Sequence, residues 1–276
     1  MLTQTEKGEI FHALHERKQA FIIPNPWNIG TARLLAHLGF EALATTSMGY
    51  AFSVGQRDGT LSRQQTLAHA STIVSATDLP VSADLEKGFG DSPEIVAETI
   101  TKASGMGLVG GSIEDSTGNP GQPIFEPGLA AERIRAAVAA ARALPFRFTL
   151  TARAENYLWG RPDLKDTIKR LQAFQEAGAD VLYAPGLTTR DDIAALVSSV
   201  DRPVNVVMGL KGVQLSLAEL STIGVRRVSV GSALCRVALG AFLGAAREMQ
   251  EHGTFTFAKE AANPREISTM LAKYSG

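Results

Sequence analysis

Residues 79–90 read Leu79-Pro80-Val81-Ser82-Ala83-Asp84-Leu85-Glu86-Lys87-Gly88-Phe89-Gly90, and the next apolar run ends in Ser112-Ile113-Glu114-Asp115. Each is a mostly apolar stretch that stops at acids. A buried parallel strand looks like this when it carries carboxylates to the open end of a sheet or barrel. Asp84, Glu86 and Glu114 are then expected to converge from two neighbouring strand ends. Clustered carboxylates repel one another unless a cation sits among them, so these three are expected to hold Mg²⁺, with Mn²⁺ as a substitute. Beside Arg153, a divalent cation at a strand C-terminus predicts chemistry that stabilises an enolate-like oxyanion.

Outward from this pair, short apolar runs alternate with amphipathic helical stretches. Strands are predicted at 20–24, 41–46, 80–84, 109–114, 147–153, 180–184, 203–207 and 226–230. Helices are predicted near 4–18, 28–38, 62–76, 92–106, 129–143, 163–177, 189–199, 214–222 and 232–250. This alternation indicates βαβ units and a parallel sheet, and eight units close naturally into a (β/α)₈ TIM barrel. The rival, a doubly wound open sheet, lacks a GxGxxG after the first strand, where FIIPNPWN stands instead. Asp91-Ser92-Pro93-Glu94 signals a helix start, and Gly39, Gly178 and Gly224 sit where C-terminal caps are expected. No composition shift divides the chain. Residues 1–276 are read as one barrel domain with a helical extension at about 252–276, a segment suited to packing on a partner subunit.

The chain has 276 residues, 45% of them hydrophobic, and a formal net charge of −1, so no charge excess points to nucleic acid or an anionic membrane surface. No apolar run reaches the roughly 18 residues of a membrane span, and MLTQTEKGEIFHAL has no signal-peptide core. The single cysteine, Cys235, fits a reducing cytoplasm and a packing role.

Arg153 closes the run TLTAR; an arginine at a strand end either clamps a carboxylate or phosphate or pairs with Glu114 or Glu155. Asn205 alternates with Val204 and Val206, and either meets ligand or satisfies buried backbone. Thr45-Thr46-Ser47-Met48-Gly49-Tyr50 ends a strand in hydroxyls and a glycine, with Ser47, Met48 and Gly49 placed to hold a ligand carboxylate. Gly49–Leu61 continues as a long loop, whose Asp58 is either a metal-water ligand or general base, or a turn aspartate. Tyr183 ends the run DVLYA and is a possible acid for protonating an enolate, or a half-buried barrel residue. None of the five histidines falls at a strand end; His12 and His15 lack a third zinc ligand, and no Ser-His-Asp set is placed.

The order NPWN, TTS, Asp58, D-x-E-x-G-F-G, IEDS, TAR-x-E and SVGSAL resembles the isocitrate lyase/phosphoenolpyruvate mutase superfamily, from about Phe21 to Glu248. The resemblance implies a (β/α)₈ barrel with its last helix swapped between subunits of a homodimer or homotetramer. It implies Mg²⁺ and a small α-keto or α-hydroxy acid that passes through a pyruvate enolate. By the same resemblance Asp84 is the closest metal ligand, and Glu86 and Glu114 act through intervening water. Arg153 faces the carboxylate or the developing enolate, Ser47, Met48 and Gly49 bind the carboxylate, and Asp58 lies on a gating segment. Two departures stand out. The Lys-Lys/Arg-Cys-Gly-His loop of lyases acting on isocitrate or methylisocitrate is replaced by Ser116-Thr117-Gly118-Asn119-Pro120-Gly121-Gln122-Pro123, and the usual N-x-W-D ends in Asn28.

The expectation is therefore a Mg²⁺-dependent carbon–carbon lyase or decarboxylase acting on an oxaloacetate-like dicarboxylic acid. Two alternatives stay open. One is P–C chemistry of the phosphonopyruvate hydrolase or carboxyphosphonoenolpyruvate/phosphoenolpyruvate mutase type, against which the loop 116–126 shows no lysine. The other is a keto-acid-binding protein without significant turnover.

Overall fold

The computed structural model describes residues 2–210, 212 and 214–274. Eight parallel strands form one sheet: β1 (Phe21–Ile23), β2 (Leu43–Ala44), β3 (Val81–Asp84), β4 (Gly110–Glu114), β5 (Thr149–Arg153), β6 (Val181–Tyr183), β7 (Val204–Val207) and β8 (Arg227–Ser229). Their order is β1-β8-β7-β6-β5-β4-β3-β2, every pair parallel. The seam between β1 and β2 is bridged by Ala44 N–H donating to Pro24 O at 3.1 Å, and the Asn25 amide fastens it. Asn25 Nδ2 donates to Thr45 O, while Asn25 Oδ1 accepts from Val230 N and Gly231 N, all near 3.0 Å. The sheet is thus a nearly closed (β/α)₈ TIM barrel, as the alternation predicts.

The helices are α1 (Gln4–Glu16), α2 (Ile29–His37), α3 (Ser47–Ser53), α4 (Arg63–Ala76), α5 (Pro93–Ser104), α6 (Pro127–Arg142), α7 (Leu164–Glu176), α8 (Arg190–Ser198), α9 (Leu217–Thr222), α10 (Ala233–His252) and α11 (Pro264–Leu271). Helix α1 plugs the N-terminal end of the barrel with Phe11, Leu14 and His15, all buried. Phe11 reaches Gly110, where a Cβ would lie 2.8 Å from its ring. Asn28 caps α2, its Oδ1 accepting from Thr31 N at 2.8 Å; asparagine does this as well as aspartate, so the departure at this position leaves the cap intact.

One expectation is corrected. Gly49–Leu61 is not wholly a loop, because α3 occupies its first part, started by Thr46 Oγ1 accepting from Gly49 N. The hydroxyl run that marks the strand end is a helix cap. Gly49 is required by close approach, since a Cβ there would lie 2.6 Å from Thr46 Cγ2.

The register explains how one barrel holds two environments. Hydrogen-bonded neighbours run Glu114↔Arg153, Arg153↔Tyr183, Tyr183↔Asn205 and Asn205↔Arg227. Because barrel strands are tilted and staggered, stepping sideways along this row also descends from the C-terminal mouth towards the floor.

Helix α10 leaves most of its length uncovered by the rest of the chain. Among its described residues only Cys235 is buried, while Val237 and Phe242 are 71% and 65% exposed. No helix among the described residues is long and apolar enough to cross a membrane.

Candidate active site

All eight strand ends contribute to one cavity of about 750 Å³ at the C-terminal face of the barrel. At its centre is Arg153, the last residue of β5. Arg153 Nη1 lies 2.9 Å from Asp84 Oδ1, and Nη2 lies 3.3 Å from Glu114 Oε2 and 2.9 Å from Glu155 Oε1. Burial works against its charge, but Glu155, Glu114 and Asp84 outweigh that and hold the guanidinium well above its ordinary pKa. Asp84 is fixed from its other side by Ser47, whose N–H and Oγ–H both donate to Oδ2 at 3.2 and 2.8 Å. Thr45 Oγ1 in turn accepts from Asp84 N at 2.9 Å.

Strand alternation sorts the acids of the IED run. Glu114 enters the cavity, whereas Asp115 turns outward to Arg170 at 3.0 Å. Glu86 lies beyond the end of β3 with φ 49°, and Phe89 and Gly88 follow at 62° and 81°. A left-handed glutamate costs backbone energy and persists only where its surroundings enforce it. Arg133 does so from α6, donating to the carbonyls of Lys87, Gly90, Asp91 and Glu114, with its guanidinium 4.1 Å from the Phe125 ring centroid.

The charge balance is lopsided. Asp84, Glu86, Glu114 and Glu155 surround a single guanidinium, and Asp58 approaches from its loop. Burial, then Asp84 and Asp58, push the Glu86 carboxyl up to about 7. Its Oε1 is buried with no hydrogen-bond partner among the described residues. Burial and Glu155 raise Glu114 well above the usual range; burial also raises Glu155, against the pull of Arg153. Asp58 is raised first by burial of its carboxyl and then by Asp84, although the residue as a whole stays exposed.

Among the described residues no three His, Cys, Asp or Glu side chains form a direct metal cage. Mg²⁺ does not need one, because it keeps several waters and takes one or two carboxylates plus substrate oxygens. A surplus of buried carboxylates and an orphaned carboxylate oxygen are the donor chemistry such an ion requires, so the residues present fit it.

Met48 and Gly49 follow Ser47 into α3; Met48 lines the cavity and Gly49 is buried behind it. Tyr183 lies against Arg153, whose Cζ is 5.2 Å from the ring centroid, and burial pushes its phenol up to about 12. Asn205 lies at the cavity floor with its amide engaged: Oδ1 accepts from Arg227 Nε at 2.8 Å, and Nδ2 donates to Ser229 Oγ at 3.0 Å. Loop 116–126 is a small hairpin, bridged at Ser116↔Ile124 and tethered by Lys87 Nζ to Thr117 O at 2.7 Å.

Arg133, Ser229 and Lys87 are the contributors that the strand-end reading passes over, whereas Glu155, read there only as a pairing partner of Arg153, does pair with it. Arg133 left a trace in the sequence: it falls with Ala130, Ile134, Ala137 and Ala141 on the buried stripe of α6. A charged residue on an apolar stripe has to find partners inside.

A parallel (β/α)₈ barrel with acids and an arginine gathered at the C-terminal strand ends is the architecture of an enzyme mouth. The chain belongs to the phosphoenolpyruvate phosphomutase family, whose model matches residues 11–250. It is 62% identical to a crystal structure of a candidate lyase/mutase from Burkholderia cenocepacia J2315, with a TM-score of 0.95 over 98% of this chain and 96% of that one. It is 32% identical to an uncharacterized protein of Mycobacterium tuberculosis (strain ATCC 25618 / H37Rv), covering 87% of this chain and 89% of the relative. A crystal structure of 2,3-dimethylmalate lyase, described as a PEP mutase/isocitrate lyase superfamily member, is 27% identical with a TM-score of 0.85, over 99% of this chain and 96% of that one. The superfamily is one of lyases and mutases.

Proposed function

We propose that this protein is a Mg²⁺-dependent carbon–carbon lyase or decarboxylase acting on a small α-keto or α-hydroxy dicarboxylic acid of the oxaloacetate type, through a pyruvate enolate. The observation that carries the reading is the uncompensated acid cluster, above all the buried, unpartnered Oε1 of Glu86. Asp84 would hold the ion directly, with Glu86 and Glu114 reaching it through water. Bound there, Mg²⁺ would supply Lewis-acid stabilisation of negative charge developing on a substrate oxygen.

The chain's own residues do the rest. Ser47 fixes the Asp84 carboxylate, and the adjoining turn at Met48 and Gly49 lies beside the substrate carboxylate. Arg153, kept charged by three acids, faces the oxygen on which charge accumulates as the C–C bond breaks; a well-placed donor of this kind is worth about 3–4 kcal/mol. Tyr183 stays a neutral phenol at physiological pH and is the group assigned to return a proton to carbon. Asp58 and the hairpin 116–126 flank the mouth and exclude water from it.

The test is oxaloacetate consumption and pyruvate formation by the purified protein, with Mg²⁺, with Mn²⁺ and with chelator, against Asp84→Asn. Metal-dependent turnover that the variant loses supports the reading; unchanged metal affinity in Asp84→Asn removes its premise. A second reading is P–C bond chemistry, for which Lys87 on the cavity wall would have to exchange its contacts with Asp91 and Thr117 O for a phosphoryl group. Turnover of phosphonopyruvate in place of oxaloacetate would select it. The oligomer is proposed from the apolar face of α10, which a second copy of the chain would cover. A monomer by sedimentation would refute that.

A further inference from the structure

The cavity lining is of two kinds. Asp84, Glu86, Glu114 and Arg153 bring charge to it, whereas Leu158, Trp159, Pro185 and Leu210 bring apolar surface. Leu158 is 51% and Trp159 38% exposed. Large apolar side chains left open beside a cavity need an explanation when their backbone is well anchored, because lack of order then does not account for them.

Their backbone is well anchored. The turn that carries them springs from Glu155, whose N–H donates to Asp115 Oδ1 at 2.8 Å. It is closed by Arg161 N donating to Asn156 O at 2.9 Å, and Asn156 Nδ2 binds Asp166 Oδ2 at 2.7 Å. Arg170 joins Asp115 and Asp166 beneath it. The neighbouring turn after β6 packs hard against it. At Gly186, with φ 96°, a Cβ would lie 2.8 Å from Tyr157 Cβ. The two turns form one wall, with polar anchors behind and an apolar surface towards the cavity.

A cavity of about 750 Å³ also belongs to the size class that encloses drug-sized ligands, well beyond a three- or four-carbon acid. We infer that the natural substrate is an α-keto or α-hydroxy acid carrying an apolar substituent, an alkyl chain of several carbons or an aryl ring, seated on Leu158 and Trp159. This rests on the acid-binding reading of the same site and adds the chemistry of the non-reacting end.

The experiment is calorimetric titration of the full chain, with MgCl₂ and with chelator, using pyruvate, 2-oxobutanoate, 2-oxohexanoate and 2-oxooctanoate. The wild type should tighten along the series, by on the order of fourfold per buried methylene. Leu158→Ala with Trp159→Ala should flatten the series while leaving pyruvate affinity unchanged. Trp159→Phe should keep the gradient, which separates a contact surface from a folding defect. Equal affinities across the series in the wild type, or a gradient that survives the double alanine variant, overturns the inference. That result with Mg²⁺-dependent pyruvate binding intact leaves the lyase reading standing. A gradient without any Mg²⁺ dependence does the reverse, and no binding by any member refutes both.

Discussion

Two arginines stand inside this barrel, and their surroundings are opposite. Arg153 at the mouth is ringed by Asp84, Glu114 and Glu155. Arg227 at the floor has no acid among its hydrogen-bond partners in the described residues: it donates to Asn205 Oδ1 and Thr151 Oγ1, and its Nη1 approaches His15 Nε2 at 3.4 Å. Burial lowers the Arg227 guanidinium to about 10, while the acids hold Arg153 well above its ordinary value. The floor satisfies one charge with neutral dipoles and has a settled hydrogen-bond arrangement. The mouth gathers more like charge than its cation balances. A fold under no other demand would not build the second arrangement, and that marks the mouth as the working end.

The widest separation between the two ends should come from activity. Asp84→Asn is expected to cut turnover by on the order of 10²–10³-fold with the fold intact, read as pyruvate formation beside far-ultraviolet circular dichroism. The matching floor variant, Arg227→Met, is expected to lower unfolding free energy by roughly 3 kcal/mol and leave Mg²⁺ affinity alone, read by urea denaturation and calorimetry. If Arg227→Met abolishes metal binding instead, the division fails.

Titration gives the two ends opposite signs. His15 is buried and lowered to about 3, first by burial and then by Arg227. The unfolded chain takes up that proton near pH 6.5, so the floor loses stability as pH falls from about 6.5 towards 3, by up to about 1.4 kcal/mol per unit. At the mouth the folded carboxyls of Glu86, Glu114 and Glu155 are raised, so their contribution grows as pH falls and is lost as pH rises through the folded values. His15→Gln should therefore remove the acid-side loss and leave the mouth's opposite slope, measured as unfolding free energy from pH 4 to 8. An unchanged profile would show that His15 does not titrate as its burial requires. The smallest effect is expected at the boundary: Ser229→Ala removes the acceptor of Asn205 Nδ2, for about 1 kcal/mol of stability and little change in turnover.

The mouth was more legible in the sequence than the floor. Asp84, Glu86, Glu114 and Arg153 were readable because an apolar run ending in charge has one sensible place in a parallel barrel. The strands came within a residue or two for the same reason. Asn205 was assigned inward by alternation, but alternation does not say whether an inward amide meets a ligand or a neighbour, and Arg227 had claimed it. Ser229 and Arg227 lie inside a short run whose hydrophobic period is satisfied without them. Helix α3 escaped because Gly49 lowers helix propensity and only its tight contact with Thr46 explains it. The residues least visible were those acting through backbone carbonyls, such as Arg133, whose partners lie some forty positions away in sequence.

Glu86 carries its carboxylate on a backbone that glycine would occupy with less strain. A search for sturdier variants of this chain would be drawn to that position and would be rewarded there with a more robust and less capable protein. If Glu86 serves the metal as proposed, thermal tolerance and chemical competence are set against each other at a single codon, and a screen that scores only survival selects against that acid.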